Sequence, residues 1–156
     1  MPHIIYLNVP YVPTSQKRHR HTRGGRTYDP CSEQKRDFLR LCQSISAPPV
    51  DEHMHAPIGC MLTFTFARPC SHRTSKGVLR KSAPLCHVYK PDADNLAKFV
   101  MDALNGVYYK DDSQICALQV LKRYGDEGSV RIELEYGTGD GARTRWREGP
   151  VFHNRT

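Results

Sequence analysis

Five aspartates fall within the 21 residues from Asp92 to Asp112 of a chain that is otherwise basic: Asp92, Asp94, Asp102, Asp111 and Asp112. Like charges do not crowd in this way unless something neutralises them. A divalent cation held by oxygen ligands is the natural neutraliser. Asp92 and Asp94 straddle the start of a predicted helix, and Asp111-Asp112 follow its end. Drawn onto one hard cation, Asp92, Asp94 and Asp112 describe a Mg²⁺ site, with Mn²⁺ as a candidate substitute. Such a cation can orient a water for in-line attack on a phosphodiester and stabilise the leaving oxygen. Lys98, one helical turn beyond Asp94, supplies a point cation able to hold a phosphate or to meet developing negative charge. The plainer reading makes Asp92 and Asp94 ornaments of a helix N-terminus. It pairs Asp94 with Lys98 at i,i+4 and leaves Asp111-Asp112 as a turn. Asp-x-Asp alone does not exclude it; the whole string favours chemistry.

The helix that positions these groups is predicted over 95–104. Leu96, Phe99, Val100, Ala103 and Leu104 recur at helical spacing and define a buried face. Asn95, Lys98 and Asp102 lie opposite it. Asn95 can cap the start, and Asn105-Gly106 forms a left-handed stop. A ten-residue helix is ~15 Å long. Bringing Asp112 back to Asp92 and Asp94 therefore requires a return segment, for which Val107 to Tyr109 is the candidate. Tyr108 and Tyr109 could stack on bases, but core or interface packing is the stronger expectation.

Around this unit, Ile4 to Val9 reads as a strand, and 30–45 as a helix with Ser32 as N-cap and an apolar stripe of Phe38, Leu39, Leu41, Cys42 and Ile45. Residues 59–68 read as a strand with Leu62, Phe64 and Phe66 on one face. Gln114 to Tyr124 and Ser129 to Tyr136 are expected to pair as a hairpin about 125–128. In the second strand, Val130, Ile132, Leu134 and Tyr136 face one way, and Arg131, Glu133 and Glu135 the other. Two basic stretches interrupt the pattern. Loop 15–27 carries Lys17, Arg18, Arg20, Arg23 and Arg26 with no acid. The connection 68–90 carries six Lys or Arg, among them Arg73, Lys76 and Lys90, again with no acid. Both are candidate phosphate-contacting segments. The second is long for a structureless loop, so it is functional or partly disordered, with Val78-Leu79 and Leu85 to Tyr89 as candidate short strands.

At 156 residues the chain has the length of one domain. Its net charge of +7 suggests a polyanionic partner. The six cysteines form no Cys-x-x-Cys pair. Met1 runs almost directly into a strand pattern rather than a signal peptide, so a reducing, cytoplasmic setting is expected. No apolar run reaches the ~20 residues of a membrane helix, and no Gly-x-x-x-x-Gly-Lys-[Ser/Thr] suggests ATP-driven work. His53-x-His55 and Cys70-x-His72 lack the paired spacing of a structural zinc site.

The string Asp92-x-Asp94-Asn95-Leu96-x-Lys98, then Asp102-Ala103-Leu104, Asn105-Gly106, Asp111-Asp112 and Gln114-Ile115, resembles the RusA-like Holliday-junction resolvase family. The motif match covers 90–115, and a looser likeness covers 3–136. The resemblance implies an α+β fold, a small mixed β-sheet with two main helices, in a homodimer. Residues 1–136 would form the endonuclease domain, and 137–156 a flexible basic C-terminal tail without a family counterpart. It further implies a Mg²⁺-dependent endodeoxyribonuclease of prokaryotic or phage origin, associated with the nucleoid when bound to DNA. Such enzymes bind four-way DNA junctions and nick paired strands symmetrically, leaving 5′-phosphates, in recombination and repair. Asp92, Asp94 and Asp112 take the metal-binding positions and Lys98 the essential lysine. Asn95 lies beside the metal site, and Asp102 and Asp111 have supporting roles. Two alternatives stay open: a catalytically silent junction-binding architectural protein, and the same chemistry on forks or other branched DNA.

Overall fold

The computed structural model describes residues 3–137. The tail expected from residue 137 onward lies, Gly137 apart, outside the described residues. Six strands and two α-helices follow one another as β1 (His3–Val9), β2 (Arg20–His21), β3 (Thr27–Tyr28), α1 (Ser32–Ile45), β4 (Ile58–Ala67), α2 (Ala93–Leu104), β5 (Ile115–Gly125) and β6 (Ser129–Tyr136). The fold is α+β. A four-stranded mixed sheet has the order β1-β6-β4-β5, and β2 and β3 form a small separate ribbon.

The sheet corrects one expectation. β5 and β6 are not a hairpin pair: β4 lies between them, parallel to β5 and antiparallel to β6. The link 126–128 steps across the C-terminal end of β4. The physical reason is burial. β4 is buried along most of its length, so it needs a ladder on both edges. Its parallel pairing with β5 is reached by the crossover through α2 that parallel strands demand. Gly125 sits where the chain turns across; a Cβ there would lie 2.5 Å from Thr65 Cγ2, too close for any other residue without a shift.

One sheet face carries the core. Across it run Leu7, Ile132 and Leu62 in register, and beside them Val9, Val130 and Phe64. All six are buried. α1 and α2 cover this face through Phe38, Cys42, Leu96, Phe99 and Val100. Phe38 packs edge-on to Phe99 at 5.7 Å and to Tyr11 at 5.1 Å. On α1 the expected stripe is narrower: Leu39 and Leu41 are half-buried, and Ile45 is exposed. All six cysteines are free thiols. Burial pushes the thiols of Cys42 and Cys60 up to about 12. Among the described residues no helix is long and apolar enough to cross a membrane.

Both basic segments have structure. Loop 15–27 folds back as the β2–β3 ribbon, closed by Thr22 N–H to Arg26 O at 2.9 Å. The connection 68–90 contains a short 3₁₀ turn at Cys70–His72. Its second half lies along the outer edge of β5, where Tyr124 N–H donates to Leu85 O at 2.9 Å and His87 N–H to Lys122 O at 3.2 Å.

Candidate active site

α2 starts two residues earlier than its apolar pattern predicts. Its N-cap is Asp92, not Asn95. Asn95 lies within the first turn, and its carbonyl accepts the Gln16 N–H at 2.9 Å. Asp92 makes no side-chain capping hydrogen bond. An aspartate at this position ordinarily accepts the N–H of the second or third helical residue. Here its carboxylate is exposed and turned away from that use. Asp94 is also exposed and accepts only the adjacent Asn95 N–H, at 2.9 Å. The two acids thus stand at the positive end of a helix whose other face is fully docked: Leu96, Phe99, Val100 and Leu104 are at most 1% exposed.

Lys98 is half-exposed and pairs with Asp102 at 3.3 Å, not with Asp94. Asp102 is shared, because Lys35 of α1 reaches the same oxygen at 3.1 Å. Lys35 also bonds Asp29 at 2.7 Å. Asp29 in turn accepts the Cys31 N–H and the Gln16 side-chain amide, both at 2.9 Å. Burial alone would push the Asp29 carboxyl up. The bonds from Lys35, Cys31 and Gln16 outweigh it and hold the group at about 2. Burial likewise opposes the Lys35 charge, and its two carboxylates outweigh that and raise it above the ordinary range. This network locks the start of α1 to α2. It also replaces the expected Ser32 cap: Ser32 lies inside α1, the N-cap is Cys31, and Asp29 holds the Cys31 N–H.

Asp111 and Asp112 divide their work. Asp111 closes a capping box with Gln114 over the 3₁₀ turn Asp112–Gln114 and also takes the Ser113 hydroxyl. That hydroxyl, first among several donors, holds its carboxyl below the usual range. Gln114 fastens the turn to the segment before β4 through Met54 O and Ala56 O. Asp112 is half-buried beside Tyr109. Tyr108 and Tyr109 are core residues, at most 1% exposed, with their hydroxyls on Ser46 O and Met101 O. Burial, with Asp112 and Asp102 among the neighbouring negative groups, pushes the Tyr109 hydroxyl far up. Gly106, at φ 79°, makes the left-handed stop.

The chain does not double back far enough to join the two acid groups. Tyr109 reaches only Met101, in the last turn of α2, and roughly two turns, ~10 Å, separate that level from Asp94. Among the described residues, no three His, Cys, Asp or Glu side chains converge to hold a metal ion. The donor set is nonetheless all carboxylate oxygen, the chemistry suited to Mg²⁺.

Of the candidate DNA contacts, Lys17, Arg18, Arg20, Arg23 and Arg26 are exposed on the ribbon and its approach. Lys76 and Lys90 are exposed as well. Arg73 is committed within the protein, bonding Asp126 of the β5–β6 link at 2.7 Å and Gly77 O of its own loop at 3.0 Å. Sequence reading missed three residues that organise the site: Asp29, Lys35 and Lys122. Lys122 had a signal. It sits in register with buried Phe64, on the helix-facing side of β5, where a cation must reach a partner. Its ammonium binds Tyr89 O at 2.5 Å and Pro91 O at 2.6 Å, anchoring the backbone that leads into Asp92.

A protein of Bacillus subtilis (strain 168) described as "Uncharacterized protein YqaN" is 45% identical to this chain over 62 residues, 40% of this chain. The match spans 39% of that relative's length. The family model "Endodeoxyribonuclease RusA" matches residues 10–135, which takes in both basic segments, α1, α2 and all five aspartates. The chain belongs to the RusA endodeoxyribonuclease family.

Proposed function

We propose that the protein is a Mg²⁺-dependent, structure-selective endodeoxyribonuclease that resolves four-way DNA junctions by paired symmetric nicks. The observation that carries this reading is the pair Asp92 and Asp94: exposed, uncommitted to capping, and mounted on a rigid helix. Asp92, Asp94 and Asp112 are the residues that would hold the cation. When bound, it supplies Lewis acidity and a positioned water. The chain's own residues do the rest. Lys98, held loosely because its carboxylate is shared with Lys35, swings to the scissile phosphate. The cationic ribbon tracks the flanking backbone. Asp111 and Gln114 keep the turn that presents Asp112 in one shape.

Within one protomer Asp92, Asp94 and Asp112 do not converge. A two-fold homodimer resolves this if Asp112 of the partner subunit completes each site. A two-fold pair of sites also suits two related strands of a junction.

The test is cleavage of a labelled four-way junction beside a linear duplex and a fork of the same sequence, with Mg²⁺ and with EDTA. The expected result is paired symmetric nicks on the junction alone, lost with EDTA and in Asp112→Asn. Binding without cutting in any divalent metal would refute the enzyme reading. Preferential cutting of the fork would refute the junction assignment.

A further inference from the structure

The segment just upstream of Asp92 presents an unusual surface. Leu85, Val88 and Tyr89 are 76%, 76% and 68% exposed. Large apolar side chains in this state generally belong to a flexible loop or to an interaction surface. This backbone is tied down at each step. Leu85 and His87 bond β5 through Tyr124 and Lys122. The His87 ring stacks on Phe66 at 3.9 Å, so His87 is the inward anchor and its neighbours from Leu85 to Tyr89 are exposed. Lys122 clamps the carbonyls of Tyr89 and Pro91. The outward residues are therefore held in place. Tyr89 stands three positions before Asp92, next to Lys90, in a connection with six Lys or Arg and no acid from 68 to 90. That charge selects a negatively charged partner over a neutral or basic one. An aromatic face beside cations is the combination that binds exposed bases, and apolar side chains driven between base steps unstack them.

We propose that Leu85–Tyr89 is a branch-reading edge, in which Tyr89 stacks on a base exposed at a DNA branch point while Val88 fills the gap it leaves. Lys90 then meets the adjoining phosphate, and the fixed spacing to Asp92 sets where the strand is cut relative to the branch. This rests on the endonuclease reading above and adds the feature of the DNA that is recognised.

The test uses the full chain with Ca²⁺ in place of Mg²⁺. The substrates are a four-way junction carrying 2-aminopurine beside the branch and a linear duplex with the same label. The wild type is expected to raise the fluorescence of the junction and leave the duplex unchanged. Tyr89→Ala is expected to remove most of that rise and to weaken junction binding about ten-fold. Tyr89→Phe keeps both. Lys90→Gln weakens binding yet reaches the full rise at saturation. An undiminished rise in Tyr89→Ala overturns the proposal. So does conversion of a dimer to a monomer by Tyr89→Ala in sedimentation, which would give the edge to a second copy of the chain. Absence of junction binding by the wild type would overturn the functional reading beneath it; binding without a Tyr89-dependent rise overturns the branch-reading edge alone.

Discussion

Lys35→Met is the most informative single change outside the aspartates. Methionine keeps the aliphatic stem and removes the charge that joins Asp29 to Asp102. An Asp29 carboxyl held at about 2 instead of 3.8 contributes ~2 kcal/mol at neutral pH. Lys35 supplies part of this beside Cys31 and Gln16, and the side chain is 20% exposed, which leaves the Lys35 share at ~1 kcal/mol. The second pair, to Asp102 at 3.1 Å, adds ~1 kcal/mol. The expected loss at pH 7 is thus ~2 kcal/mol, or ~4–8 °C in Tm. The sign of the pH dependence follows from the depressed carboxyl. Its contribution is complete above the unfolded value near 3.8 and disappears as pH falls through the folded value of about 2. Urea unfolding at pH 7, 5 and 3 should show the difference between wild type and Lys35→Met nearly constant down to pH 5. By pH 3 the Asp29 share should have begun to shrink. A loss of the same size at pH 7 and pH 3 would show that packing, not charge, is the role of Lys35.

Other consequences can be read directly. Asp92→Asn should abolish cleavage while preserving or tightening junction binding, since a carboxylate that repels phosphate is removed; cleavage near the wild-type rate would take Asp92 out of the site. Mixing Asp92→Asn with Asp112→Asn should restore nicking at about a quarter of wild-type sites if Asp112 acts across the dimer, because half the dimers are mixed and each has one intact pair. No activity in the mixture would place all three carboxylates in one chain. Neutralising Lys17, Arg18 and Arg20 together should reduce the slope of log K against log salt by ~2–3; an unchanged slope would leave the ribbon as solvated surface.

How much of this was legible depended on the range of the forces involved. The buried face of α2 was read correctly because its period lies within a dozen residues and the core requires it. Pairing was not, because β5 and β6 are joined by a three-residue link that looks like a hairpin turn. Only the burial of β4, a property of the assembled sheet, places β4 between them. The role of Lys35 escapes a local reading because its partners are six residues back and on another helix. The strand expected at Leu85 to Tyr89 forms only in part: Cys86 alone bridges β5, opposite Arg123, with Leu85 O and His87 N–H bonded on either side.

The same distinction bears on the acid string. Its residues are close in sequence, yet Asp92 and Asp94 stand at the start of α2 and Asp112 in the turn that follows it, and the three do not converge. Lys98 lies in the middle of α2 and its partner Asp102 in the last turn. A helix docked through its whole apolar face has little freedom to shorten the distance. If the three carboxylates share one cation, the shortfall has to be met from outside the protomer rather than by bending α2. The two-fold partner that four-way DNA would itself favour is then a requirement of the metal site as well as of the substrate.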